Sequence, residues 1–167
     1  MVRVGIIGFG TVGQGTAHAL LEHQEEIRAR AGFEMAIAAV ASRGIHGLDT
    51  RWLPPGVLRT ADWREVVASP QVDIVAELVG GTTVARQIVE AALAAGKPVV
   101  TANKNLIAEA GAELEALARE RGVGLEFEAA VAGGIPVLAA VREGLAGERI
   151  EALFGILNGT CNYILTT

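Results

Sequence analysis

Cysteine occurs once in these 167 residues, at Cys161, which rules out an internal disulfide. A metal cluster built from cysteine and histidine is equally unsupported, because His18, His23 and His46 show no ligand spacing. His18 and His23 fall instead within the first predicted helix, as solvated or half-buried positions. Aromatic residues make up only 4% of a chain that is 51% hydrophobic, so the core must be built from Ala, Val, Leu and Ile. That composition suits buried parallel strands, which read as continuous aliphatic runs. No apolar run reaches the roughly 18 residues that cross a bilayer, and the N-terminus has neither the basic start nor the cleavage site of a signal peptide. A soluble, cytoplasmic protein with no membrane partner is the expectation. Lysine is nearly absent: Lys97 and Lys104 are the only two, and arginine supplies the other twelve of fourteen basic groups. With a net charge of −5 and no basic cluster, nucleic acid is excluded as a partner.

Glycine, by contrast, is abundant, and its placement at the N-terminus is informative. An apolar strand, Val2 to Ile7, runs into Gly8-Phe9-Gly10-Thr11-Val12-Gly13 and then into a helix-compatible stretch. The first glycine allows a tight turn, the second lets backbone approach a pyrophosphate, and the third lets the helix pack on the sheet. Backbone N–H groups and the positive helix end then face the phosphates. A bare GxGxxG string is weak among 21 glycines, but a strand before it and a helix after it give it weight.

Beyond this loop, strand and helix alternate. Thr11 to about Arg30 reads as one helix ended by Gly32. Glu34 to Ala41 is a second strand, followed by an irregular stretch with the turn signal Pro54-Pro55-Gly56. A short helix spans Asp62 to Ala68, starting near Thr60 or Ala61. Val72 to Val79 is a third strand, Thr83 to Ala95 a helix stopped by Gly96, and Pro98 to Thr101 a fourth strand. Asn103 caps a helix to about Arg121, and Val123 to Glu128 is the fifth strand. Five such alternations predict an α/β fold with a doubly wound parallel sheet and helices on both faces. Near residue 130 the rhythm breaks: a helix from about Val137 to Leu145 and a strand from Ile150 to Leu157 follow. Residues 1–130 therefore read as a dinucleotide-binding domain and 131–167 as the incomplete beginning of another. The chain stops where a helix is just starting, which suggests the N-terminal portion of a longer protein.

Ligands of such sheets gather at the carboxyl ends of strands. The first loop offers Gly8, Phe9, Gly10, Thr11, Val12 and Gly13 to the cofactor. After strand two, where an NAD enzyme usually places an acid for the ribose 2′-hydroxyl, stand Ser42 and Arg43. An arginine there can pair with the 2′-phosphate of NADP, so NADP leads and NAD stays open. After strand three, Gly80-Gly81 permits backbone to approach a ring or ribose; Thr82 and Thr83 serve equally well as helix caps. The fourth loop, Thr101-Ala102-Asn103-Lys104, sets a lysine in the first turn of a helix, where the positive helix end disfavours its charge. Lys104 is thus a candidate for binding a substrate oxygen or nicotinamide, or for proton transfer, and Thr101 joins the cofactor candidates. In the fifth loop, Glu126 to Pro136, glycines and a proline free carbonyl oxygens to face a cation or ligand; on residues alone it reads as a hinge.

Taken together these loops resemble homoserine dehydrogenase. The likeness is carried by Gly8 to Gly15, Glu77-Leu78-Val79-Gly80-Gly81, Val100-Thr101-Ala102-Asn103-Lys104, Glu128 through Pro136, and Gly155-Ile156-Leu157-Asn158-Gly159-Thr160. Together the blocks span nearly the whole chain in the family's order; the first is generic to dinucleotide enzymes, and the last three are specific to the family. The resemblance implies a Rossmann sheet followed by the start of a substrate and dimerisation domain. It implies hydride transfer between NAD(P)(H) and the carbon shared by L-aspartate 4-semialdehyde and L-homoserine, on the route to threonine and methionine. Phe9, Thr11 and Val12 would touch the cofactor, Arg43 would lie at the adenosine ribose, and Lys104 would lie beside nicotinamide and substrate. Glu128, Val131, Gly133 and Ile135 match positions whose main-chain oxygens hold a sodium ion in relatives. A homodimer or homotetramer is implied for the whole enzyme.

Two departures accompany the likeness. Cys161 stands where many relatives have Thr. The family's acidic substrate residues and a second catalytic lysine lie beyond Thr167, so the piece alone is expected to bind cofactor and turn over slowly or not at all. Rival readings are another NAD(P)-dependent dehydrogenase, which leaves the Asn158-Gly159-Thr160 block unexplained, and a non-catalytic NAD(P)-sensing module, which gives Lys104 no reaction to serve.

Overall fold

The computed structural model describes residues 1–155. Six parallel strands form one sheet: β1 (Val2–Ile7), β2 (Met35–Ala41), β3 (Leu58–Thr60), β4 (Ile74–Glu77), β5 (Val99–Thr101) and β6 (Leu125–Glu126), in the order β3-β2-β1-β4-β5-β6. The order reverses between β1 and β4, and at such a switch point neighbouring crossovers leave to opposite faces and open a crevice.

The helices are α1 (Thr11–Glu22), α2 (Gln24–Ala31), α3 (Trp63–Ala68), α4 (Thr83–Ala94), α5 (Lys104–Arg121) and α6 (Val137–Ala139). One apolar core joins Ile7, Val75 and Val99 of the sheet to Val66, Ile88, Leu93, Leu106 and Leu114 of α3, α4 and α5. The other joins Val4, Ile6, Ile37 and Val40 to Ala17 of α1 and to Ile45, Leu53 and Val57 of the segment before β3. Aliphatic runs in β1, β2 and β4 thus supply both faces, as the scarcity of aromatics requires. No helix of the described residues is long and apolar enough to cross a membrane.

The structure corrects several boundaries. The single helix expected from Thr11 to Arg30 is two, because the backbone leaves helical angles at His23 (φ −110°, ψ 28°). Ile27, the large apolar residue of α2, is only half-buried and α2 buries none of its residues, so nothing holds both halves on one axis. Gly32 does end α2, in the left-handed region at φ 79°. The irregular stretch holds a sixth, three-residue strand, β3, too short to show periodicity. Its Arg59 donates to the carbonyls of Thr50, Leu53 and Val57 and so fastens the preceding loop. Asp62, rather than Thr60 or Ala61, caps α3 by accepting from the Arg64 N–H at 3.0 Å. Asn103 caps α5 as expected, its Oδ1 accepting from the Leu106 N–H at 3.1 Å.

After β6, α6 continues into a wider turn over Ala140–Gly144, in which the Leu145 N–H reaches back to the Ala140 carbonyl at 3.0 Å. Residues 150–155 form no strand: Leu153 is 58% and Phe154 93% exposed, with no neighbouring strand among the described residues to pair with. The rest of that expected strand, and the Asn158-Gly159-Thr160 block with Cys161, lie outside the described residues.

Candidate functional site

Each glycine of the first loop has a distinct local reason. Gly8 sits at φ +100°, and a Cβ there would overlap the carbonyl of Leu78 on β4's exit. Gly13 lies so close to the Gly8 carbonyl oxygen that a Cβ would overlap it. α1 can therefore start only if both positions are glycine. A Cβ at Gly10 would meet nothing within 4 Å, so its bare backbone faces open space. That is the geometry a phosphate needs: a closely packed turn beneath, unobstructed N–H groups above.

Above the switch point lies a groove of about 750 Å³. Gly8, Phe9 and Gly10 form its floor, Ser42 and Arg43 one end, Ala61 to Arg64 a side, and Leu78 to Gly80 with Val84 and Gln87 the opposite wall. The structure thus brings Gly8, Phe9, Gly10, Ser42, Arg43 and Gly80 together. Thr11, Val12, Gly13, Thr101 and Lys104 are not part of its lining. Gly13 is packed beneath the loop, and Thr11 and Val12 stand exposed on the first turn of α1. Phe9 contributes main chain alone: its ring is 1% exposed and stacks on Trp52 at 5.9 Å, with His18 on the same indole at 3.9 Å. The first loop is therefore anchored from below by the segment that precedes β3.

Arg64 was not foreseen from the sequence. It lines the same groove as Arg43, its guanidinium 4.6 Å over the Trp63 ring and 3.3 Å from the Asp62 carboxylate. A β3 exit loop hidden inside an apparently irregular segment gave no signal for it.

Glu77, at the carboxyl end of β4, is the other residue the sequence left without a role. It is fully buried, its carboxylate accepting from the Val79 N–H at 2.8 Å and the Thr101 hydroxyl at 2.5 Å. Burial raises its pKa above the ordinary carboxylate range, and the hydrogen bonds from Thr101, Val79 and Asn103 oppose that rise. Thr101 is likewise buried, so its hydroxyl serves Glu77. Lys104 is exposed in the first turn of α5, one strand beyond the switch point. Asn103 ties that turn to the groove wall, its amide donating to the carbonyls of Val79 at 3.3 Å and Gly81 at 2.7 Å.

The fifth loop bends through Ala132 (φ 57°) and Gly133 (φ 61°). The Glu128 carbonyl accepts from the Val131 N–H at 3.0 Å and the Ile135 carbonyl from the Val137 N–H at 2.8 Å, while those of Val131 and Gly133 accept no such bond among the described residues. The Glu128 carboxylate caps α6, taking the N–H groups of Leu138 and Ala139 at 2.9 Å each. Among the described residues no cluster of His, Cys, Asp and Glu side chains could hold a metal ion, so a cation here would rest on carbonyls.

A reversed strand order with a glycine turn beneath an open groove defines a dinucleotide-binding protein of the Rossmann class. Comparison with known proteins narrows this. Residues 8–128 match the family described as homoserine dehydrogenase, NAD binding domain, and residues 136–167 match homoserine dehydrogenase. The chain belongs to the homoserine dehydrogenase family. It is 51% identical to the homoserine dehydrogenase of Pseudomonas aeruginosa over 166 residues, covering 99% of this chain and 37% of that protein. A crystal structure of a homoserine dehydrogenase from Thiobacillus denitrificans superposes with a TM-score of 0.89 at 49% identity, over 98% of this chain and 38% of that one. A hyperthermophilic archaeal homoserine dehydrogenase mutant in complex with NADPH gives 0.72 at 27% identity, over 88% and 50%. The chain therefore spans somewhat over a third of the length of the curated relatives it matches.

Proposed function

We propose that the whole protein interconverts L-homoserine and L-aspartate 4-semialdehyde with NADP(H), and that this chain supplies its nucleotide-binding portion. The groove over Gly8 and Gly10 at the β1/β4 switch point, in a chain of this family, carries the reading. The nicotinamide cofactor supplies or accepts the hydride when bound. The chain's own residues orient it. N–H groups of the first loop hold the pyrophosphate, Ser42 and Arg43 hold the 2′-phosphate with Arg64 as a second cation, and Gly80 offers bare backbone near the ring. Lys104, at the next strand's exit, binds the substrate oxygen or moves its proton. The change of family match between residues 128 and 136 supports a division near residue 130, with the start of a substrate and dimerisation domain after it. Carbonyls of Glu128, Val131, Gly133 and Ile135 would hold sodium at that junction. The whole enzyme on this reading is a cytoplasmic homodimer or homotetramer acting in threonine and methionine biosynthesis.

Fluorescence titration with NADPH and NADH tests the cofactor assignment. NADPH binds more tightly, and Arg43→Ala weakens it roughly tenfold, about the worth of one charged hydrogen bond, with NADH little changed. A preference for NADH that Arg43→Ala leaves intact overturns it. In a steady-state assay with semialdehyde and NADPH the 167-residue chain binds nucleotide and turns over poorly; a rate matching a full-length relative refutes the division of labour.

A further inference from the structure

Gly80, on the groove wall, and Lys104, outside the lining, sit on loops from neighbouring strands, and side chains rather than sheet pairing join those loops. Sheet register sets Glu77 beside Thr101 at the ends of β4 and β5. From there one chain of hydrogen bonds crosses both exits. The Val79 N–H donates to Glu77, the Thr101 hydroxyl donates to Glu77, and the Asn103 N–H donates to the Thr101 hydroxyl at 3.0 Å. The Asn103 amide then closes the circuit on the carbonyls of Val79 and Gly81, either side of Gly80. The residue after Asn103 is Lys104.

A carboxylate is costly to bury, and an apolar residue at the end of an aliphatic strand would serve packing as well. What it supplies is acceptors: two oxygens that take donors from two loops at once, which no aliphatic side chain can do. We infer that Glu77 is a positioning residue for the reaction, fixing the first turn of α5, and with it Lys104, against the Gly80 wall. This rests on the dehydrogenase reading given above. Displacing a reacting group by about 1 Å can cost roughly 10²-fold in rate, so a loose linkage lowers turnover more than it lowers nucleotide affinity.

The test uses the whole enzyme, with the parent first shown to oxidise homoserine; a folded, NADPH-binding parent without that activity would count against the dehydrogenase reading, separately from Glu77. Thr101→Val keeps volume but removes the hydroxyl between Glu77 and Asn103, Thr101→Ser restores it, and Glu77→Gln replaces one acceptor with a donor. Thr101→Val and Glu77→Gln are expected to lower kcat roughly 10- to 100-fold with NADPH affinity close to the parent's. Thr101→Ser recovers most of that loss, and the double variant is no worse than the poorer single one. Should Glu77→Gln fail to fold, the Thr101 pair carries the test. Parent-like kcat in Thr101→Val, or losses in kcat and NADPH affinity that run in parallel and are not rescued by serine, overturn the inference.

Discussion

At the amino ends of β1, β4 and β5, charged side chains are bound into the fold; at the carboxyl ends of the strands, some are left for solvent. Arg3 makes paired contacts to Asp73 at 2.8 and 2.9 Å, and Lys97 donates to the carbonyls of Ser69 and Val72 at 2.5 and 2.6 Å. Half-buried Lys97 has its pKa lowered by that burial, which outweighs attraction from Asp73. At the opposite end, Arg43 and Lys104 are exposed and take part in no ion pair among the described residues. Lysine occurs only twice, once at each end. One residue type thus closes off carbonyls where the sheet begins and stands exposed and unpaired among the described residues where the strands end.

The two lysines break this contrast most sharply. Lys104→Met in the whole enzyme is expected to lower kcat by roughly 10²–10⁴ with little change in melting temperature, read by steady-state kinetics and a thermal melt. Equal kinetic damage from Lys97→Met would abolish the distinction. The glycines come next. Gly8→Ala imposes both left-handed strain and overlap with Leu78, costing about 1–3 kcal/mol in denaturant unfolding and most nucleotide binding. Gly10→Ala, with open space around it, leaves stability unchanged and weakens NADPH alone. Lys97→Met follows, with about 1–2 kcal/mol of stability lost because two carbonyls lose a charged donor, and cofactor affinity unaltered.

The smallest effect belongs to Asp73, whose pKa the Arg3 guanidinium lowers to about 2. A depressed folded value means its stabilisation is complete above the ordinary carboxylate pKa, near 3.9, and disappears as pH falls toward 2. Asp73→Asn should therefore lower stability slightly at neutral pH and flatten the acid limb of the unfolding curve. An identical limb in both proteins would show the pair to be idle, as many exposed pairs are.

The sequence displays the turn chemistry plainly and the long-range contacts poorly. Gly8 needs its left-handed φ, Gly13 its close approach to the Gly8 carbonyl and Gly10 bare backbone toward a ligand, so their spacing between strand and helix reveals them. Asn103 and Gly32 are legible for the same reason. β3 is not, since three residues hold no period and the strand exists because β2 offers it an edge. The break at His23 follows from where the second core stops, a tertiary fact. At the site, Ser42 and Arg43 could be placed because they directly follow a strand. The inward ring of Phe9 depends on Trp52, 43 residues away in sequence, and Arg64 enters only because β3 exists. Glu77 sits in plain view in a recognisable block, yet its partner Thr101 is a neighbour only through strand pairing.

The chain's two tryptophans are both half-buried but lie on different sides of the glycine turn: Trp52 stacks on Phe9 and His18 outside the groove lining, and Trp63 lies along the groove beneath the Arg64 guanidinium. A nucleotide settling there would come against one indole and not reach the other. Intrinsic emission is therefore an occupancy gauge with its own internal standard, Trp63 quenched on loading and Trp52 steady, requiring no added dye.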